Sequence, residues 1–137
     1  MIIPISELKN STGYHLPTLK YNIDSTLVSR FCAAIGDDSP RWHKEAPPSL
    51  IPTLGFDKVF EMLDSGPQVT VLHGSTEYEM YKPVYLGDTI TVQTTLASAR
   101  ERVSQGNTSV FTSFDILYLN HKEEMVARCK QLAIVTQ

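Results

Sequence analysis

The chain has 137 residues, 42% hydrophobic and 20% charged, an ordinary composition for one folded domain. Its net charge of −3 and lack of a dense Lys/Arg cluster exclude the footprint of a nucleic-acid backbone. No stretch approaches the ~20 apolar residues that span a bilayer, so neither nucleic acid nor membrane is an expected partner.

In chain order, the opening Met-Ile-Ile-Pro-Ile-Ser-Glu-Leu lacks the basic and apolar blocks of a signal peptide. Residues 14–23, with Leu16, Leu19, Tyr21 and Ile23, read as extended. Asp24 is placed to cap a helix that repeats Leu27, Val28, Phe31, Ala34 and Ile35, and Gly36 ends it. Residues 37–52 carry Pro40, Pro47, Pro48 and Pro52, which predicts little regular structure. A second helix over 54–63 lines Phe56, Val59, Phe60 and Leu63 along one face and is apolar enough to be central; Ser65-Gly66-Pro67 stops it.

Beyond that point the period changes to two. Leu72, Thr76, Tyr78 and Met80 share a parity, as do Ile90, Val92 and Leu96, and then Val110, Phe114, Ile116 and Tyr118. Met125, Ala127 and Cys129 open the last strand, with a bulge expected near Gln131. Turn residues at 83–88, 105–107 and 120–123 separate these runs. The expected fold class is α+β: a single hot-dog fold over residues 1–137, a curled antiparallel sheet of about five strands around a central helix. Cys32 and Cys129, each alone in an apolar segment, read as reduced thiols of a cytoplasmic protein. No spacing suggests a metal site, and no cofactor is expected.

The segment Phe31-Cys-Ala-Ala-Ile-Gly-Asp-Asp-Ser-Pro-Arg-Trp-His-Lys-Glu resembles the signature of MaoC-like hydratases and dehydratases, roughly F-A-x-x-x-G-D-x-N-P-x-H-x-D. Gly36, Asp37 and Pro40 match, and Ser39 stands where the family usually has Asn. Ile51-Pro52-Thr53 with Gly55-Phe56, and Leu72-His73-Gly74 through Tyr81-Lys82-Pro83 to Gly87-Asp88, are similar to later stretches of the family's first-half, often non-catalytic, type.

The resemblance implies an acyl-thioester ligand, carried on coenzyme A or on an acyl-carrier protein, and an (R)-specific hydratase or dehydratase reaction. Hydrating an enoyl thioester needs a base for water, an acid for the α-carbon and donors for the enolate oxygen. In complete family members the signature's Asp and His supply that pair. Here the family's His position, five residues after Asp37, is Trp42; His43 is displaced by one, and the second acidic position holds Lys44. An indole N–H only donates. The resemblance therefore implies an acyl-binding subunit, inactive alone, in a homodimer or in a heterodimer with a catalytic MaoC-like chain.

The catalytic candidates are Asp37 and His43, and the binding candidates are Trp42, Pro52, Gly55, Phe56, His73 and Gly74. Each has a plainer alternative. Asp37 reads equally as a turn carboxylate, His43 as a solvent-facing side chain, and His73 as a sheet-bonded one. Trp42 reads as a plug or wall of the former site. Arg100, Glu101 and Arg102 read as a solvated strand end or as a contact for coenzyme A phosphates. Two further readings stay open: a hot-dog acyl-CoA thioesterase using one of Glu45, Asp64, Glu77 or Glu79, and a non-catalytic acyl-thioester-binding module.

Overall fold

The computed structural model describes residues 2–63 and 66–137. A short α1 (Ile5–Leu8) precedes β1 (Leu19–Asn22), α2 (Ser25–Ile35) and α3 (Phe56–Leu63). Four long strands follow: β2 (Thr70–Met80), β3 (Thr89–Ser104), β4 (Asn107–Leu119) and β5 (Met125–Thr136). They form one antiparallel sheet in the order β1-β3-β4-β5-β2, so β1 and β2 are its edges. This is the curled five-stranded sheet and helix of a hot-dog-like α+β fold.

Period-two burial builds the core. β3 turns Ile90, Val92, Thr94 and Leu96 inward; β4 turns Val110, Thr112, Phe114, Ile116 and Tyr118; β5 turns Ala127, Cys129, Gln131, Ala133 and Val135. Against this face pack Val28 and Cys32 of α2 and Val59, Met62 and Leu63 of α3. At the β3–β4 turn, Gln105 and Gly106 take φ of 51° and 80°, two successive positive values as in the two-residue turns that match strand twist.

Several sequence expectations need correction. The α2 repeat of Leu27, Val28, Phe31, Ala34 and Ile35 overstates the buried face. Only Val28 and Cys32 are buried, one helical turn apart, while Ala34 and Ile35 face out. The proline-rich segment is not irregular throughout. Pro40–His43 and Pro48–Thr53 are 3-10 helices, and each starts on a proline, which suits a first-turn position because no N–H is needed there. The second helix starts at Phe56 instead of Leu54, which is extended. Of its expected stop, Ser65 lies outside the described residues, as does Asp64.

The bulge expected near Gln131 lies across the ladder instead. β5 pairs without interruption around Gln131, and the shift falls in β2, between His73–Ala133 and Ser75–Leu132, leaving Gly74 unpaired. A Cβ on Gly74 would lie 3.0 Å from Leu132 Cδ2 and 3.3 Å from its backbone oxygen, so the strands approach too closely for any other residue without displacement. The extra residue also breaks the parity read from sequence. Leu72 pairs with Ile134 on the outer face, 54% exposed, whereas His73 and Thr76 pair with Ala133 and Gln131 on the inner one.

Candidate functional site

The Asp37 cleft is assembled by local turn chemistry. Asp24 accepts the Leu27 N–H at 2.8 Å and starts α2. Gly36 ends it in the left-handed region, φ 71°, where a glycine carries no steric penalty. The next N–H, of Asp37, bonds back to Cys32 O at 3.0 Å. The carboxylate is therefore delivered directly off the helix end. Its Oδ1 accepts the Ser39 N–H at 3.0 Å, tightening the turn. Ser39 then caps the Pro40–His43 helix through the Arg41 N–H. That single turn swings Trp42 back so that its indole N–H donates to Asp37 Oδ2 at 2.8 Å.

Both carboxylate oxygens are thus engaged. The indole hydrogen bond first, and the Ser39 N–H second, hold the Asp37 carboxyl below its ordinary range. Asp37 stays ionised and is a weakened base. His43 borders the same cleft, exposed, with no hydrogen-bond partner among the described residues. Arg41 stacks on the Trp42 ring at 4.9 Å and reaches Glu45 at 3.3 Å.

The cleft holds about 680 Å³. Its other wall is one stripe of α2, Ser25, Ser29, Cys32 and Ala33, closed by Leu86 from the β2–β3 connection. Apart from Cys32, read only as a reduced thiol, these residues escaped the sequence reading. The signal was present, because Ser25, Ser29, Cys32 and Gly36 recur at helical spacing and leave room beside the helix, but small residues carry no chemistry that marks them. Burial, and then the Asp37 charge, pushes the Cys32 thiol up, so it is no ready nucleophile.

The expected site residues fall into two groups. Asp37, Trp42 and His43 share the cleft, whereas Pro52, Gly55, Phe56, His73 and Gly74 do not line it. Phe56 meets the His73 ring edge-on at 5.0 Å. His73 Nε2 lies 3.0 Å from Gln131 Oε1 and 2.8 Å from Thr76 Oγ1. The Gln131 amide reaches the Pro52 carbonyl at 3.5 Å. Gly55 sits apart, against Val92 and Leu19. Gln131 was missed as a functional residue. It is the lone amide in the inward series Ala127, Cys129, Ala133 and Val135, an oddity that suggests a bulge from sequence alone.

Of the acids considered for hydrolysis, Glu45 pairs with Arg41, and Glu77 and Glu79 lie opposite Lys130 and Arg128 in the sheet. Arg100, Glu101 and Arg102 are exposed, and Glu101 accepts from Lys9 at 3.4 Å. No cluster of three or more metal-ligating side chains occurs among the described residues. None of the described helices is long and apolar enough to cross a membrane.

A family model described as FAS1-like, dehydratase domain region, matches residues 10–129. No curated protein matches the chain. Among solved structures, a monoamine oxidase regulatory protein from Archaeoglobus fulgidus has a TM-score of 0.76 at 16% identity, covering 92% of this chain and 90% of that one. A MaoC-like dehydratase from Rhodospirillum rubrum scores 0.66 at 15% identity, with 90% and 91% covered. The HadBC (3R-hydroxyacyl-ACP dehydratase) complex from Mycobacterium tuberculosis scores 0.64 at 17% identity, with 90% and 96% covered. At these identities the structures establish shared fold.

Proposed function

The chain belongs to the FAS1-like dehydratase domain region family and is a MaoC-like hot-dog domain, and from that premise we propose that it is the acyl-binding subunit of an (R)-specific enoyl-thioester hydratase or 3-hydroxyacyl-thioester dehydratase. In this reading residues 1–137 form a single domain, active in cytoplasmic fatty-acid metabolism on coenzyme A or acyl-carrier-protein thioesters.

The observation that carries the reading is the Asp37–Trp42 hydrogen bond of 2.8 Å. The position that would hold a base for water holds a donor that occupies the carboxylate instead. Asp37 retains its place at the cleft, but its proton affinity is spent on Trp42 and Ser39. The cleft keeps the volume for a ligand and lacks a paired acid and base. The catalytic pair then comes from a second MaoC-like chain. HadBC, a 3R-hydroxyacyl-ACP dehydratase, is itself a complex, which supports such an arrangement. The free edge of β2, paired on one side only, offers a strand for joining a partner.

Crotonyl-CoA hydration tests this directly. The isolated chain is expected to show only background turnover. Co-expression with a MaoC-type chain bearing an intact Asp/His pair should raise hydration well above that chain alone. Vigorous hydration by the isolated chain would overturn the non-catalytic assignment, and thiol release without hydration would favour a thioesterase.

A further inference from the structure

The orientation of one buried amide determines the chemistry of an exposed histidine. Gln131 is 2% exposed, on the inner face of β5. Its Nε2 faces the Pro52 carbonyl, which accepts only, so this end of the amide must be the NH₂ group. Its Oε1 therefore faces β2, where it accepts the Thr76 hydroxyl and lies 3.0 Å from His73 Nε2. An amide oxygen cannot donate, so Nε2 of His73 carries the proton. In the neutral ring Nδ1 is then a bare lone pair. Nδ1 has no partner among the described residues, and His73 is exposed at the β2 edge. The ring is held in place from three sides, by Gln131, by Thr76 and by the edge contact with Phe56.

We propose that His73 is a ligand-binding residue whose Nδ1 accepts a hydrogen bond from an O–H or N–H donor of the bound acyl thioester, with Gln131 and Thr76 as positioning residues. This inference rests on the acyl-thioester reading above and adds a polar anchor to it. The thioester carbonyl has no proton to give, so it cannot be the partner of Nδ1. The donors such a ligand carries are a hydroxyl on the acyl chain and the N–H and O–H groups of the carrier itself. Beside this anchor runs an apolar wall. Phe60, Val69 and Val71 line a groove of about 420 Å³ between α3 and β2, with Asp57 and Glu61 at its rim. Val71 is one strand repeat from His73, and Phe60 is one helical turn from Phe56.

Histidine-selective ¹H–¹⁵N spectra of the full ¹⁵N-labelled chain test the proposal. The His73 ring should show the Nε2–H tautomer. Its Nδ1 signal should shift on adding 3-hydroxybutyryl-CoA. A shift with butyryl-CoA as well assigns the donor to the carrier, and a shift with the hydroxylated ligand alone assigns it to the acyl hydroxyl. The indole signal of Trp42, the only tryptophan, reports the Asp37 cleft independently. His73→Phe keeps a ring against Phe56 and should weaken binding about three- to tenfold. An Nδ1–H tautomer, or a silent His73 while Trp42 responds, overturns this inference and leaves the acyl-thioester reading standing. Silence at both residues overturns that reading and this inference together. Should His73→Phe fail to fold, the spectra of the unaltered chain still decide.

Discussion

Trp42 and Asp37 form the contact on which the functional reading turns, and their bond has a measurable electrostatic consequence. The indole donor is the largest cause holding the Asp37 carboxyl below its ordinary value. A carboxyl lowered in the folded state stabilises it above the ordinary carboxylate range, and this contribution is lost as pH falls through the lowered value. Trp42→Phe removes the donor and keeps an aromatic ring. The Asp37 carboxyl should then titrate at higher pH, as followed by its ¹³C resonance. Stability at neutral pH should fall, and its decline on acidification should flatten, because less of it depends on an ionised Asp37. An unchanged Asp37 titration would mean that Ser39 alone holds the carboxylate. The Asp37–Trp42 spacing was plain in the sequence. That the indole would turn back onto the carboxylate was not, because it depends on the 3-10 turn that Pro40 begins.

Among the elements, β2 departs furthest from its sequence pattern. Its alternation predicted one continuous inner face, and the bulge at Gly74 divides it. A period of two cannot survive an inserted residue, and a lone glycine does not announce where the insertion falls. Gly74→Ala should destabilise the domain by about 1–3 kcal/mol, the usual range for overpacking, because its Cβ would meet Leu132 at 3.0 Å. Leu132→Ala in the same chain should recover part of that loss, and a double-mutant cycle by urea unfolding measures the coupling. Additive losses would place the strain elsewhere. The other three long strands were legible because each keeps one face buried along its inner run, as Ile90, Val92 and Leu96 do.

For the whole molecule, alkaline pH probes the integrity of the core. Burial pushes the Cys129 thiol from 9.0 up to about 11. Its folded value is raised, so its stabilising contribution is complete below the unfolded value and disappears as pH rises toward about 11. Cys129→Ala should lower stability at neutral pH through lost packing while flattening its decline over that alkaline window. A parallel decline in both proteins would assign the slope to other groups. The fold class was readable from the two helices and the change of period. The cleft wall opposite Asp37, Trp42 and His43 was not, since it is made of small residues of α2 and Leu86 of a distant connection, brought together only by packing.

The strand order carries a cost in time as well as in space. β2 leaves the ribosome before β3 and β4, but among the described residues its neighbour in the sheet is β5, the fifth of the five strands. Until then both of its edges are unpaired, and the contacts of His73 and Thr76 with Gln131 are unmade. Non-local pairing of this kind slows folding and prolongs exposure of sticky backbone. Newly made chains are therefore most vulnerable to misassociation while β3 and β4 are already forming their hairpin and β2 waits for its neighbour.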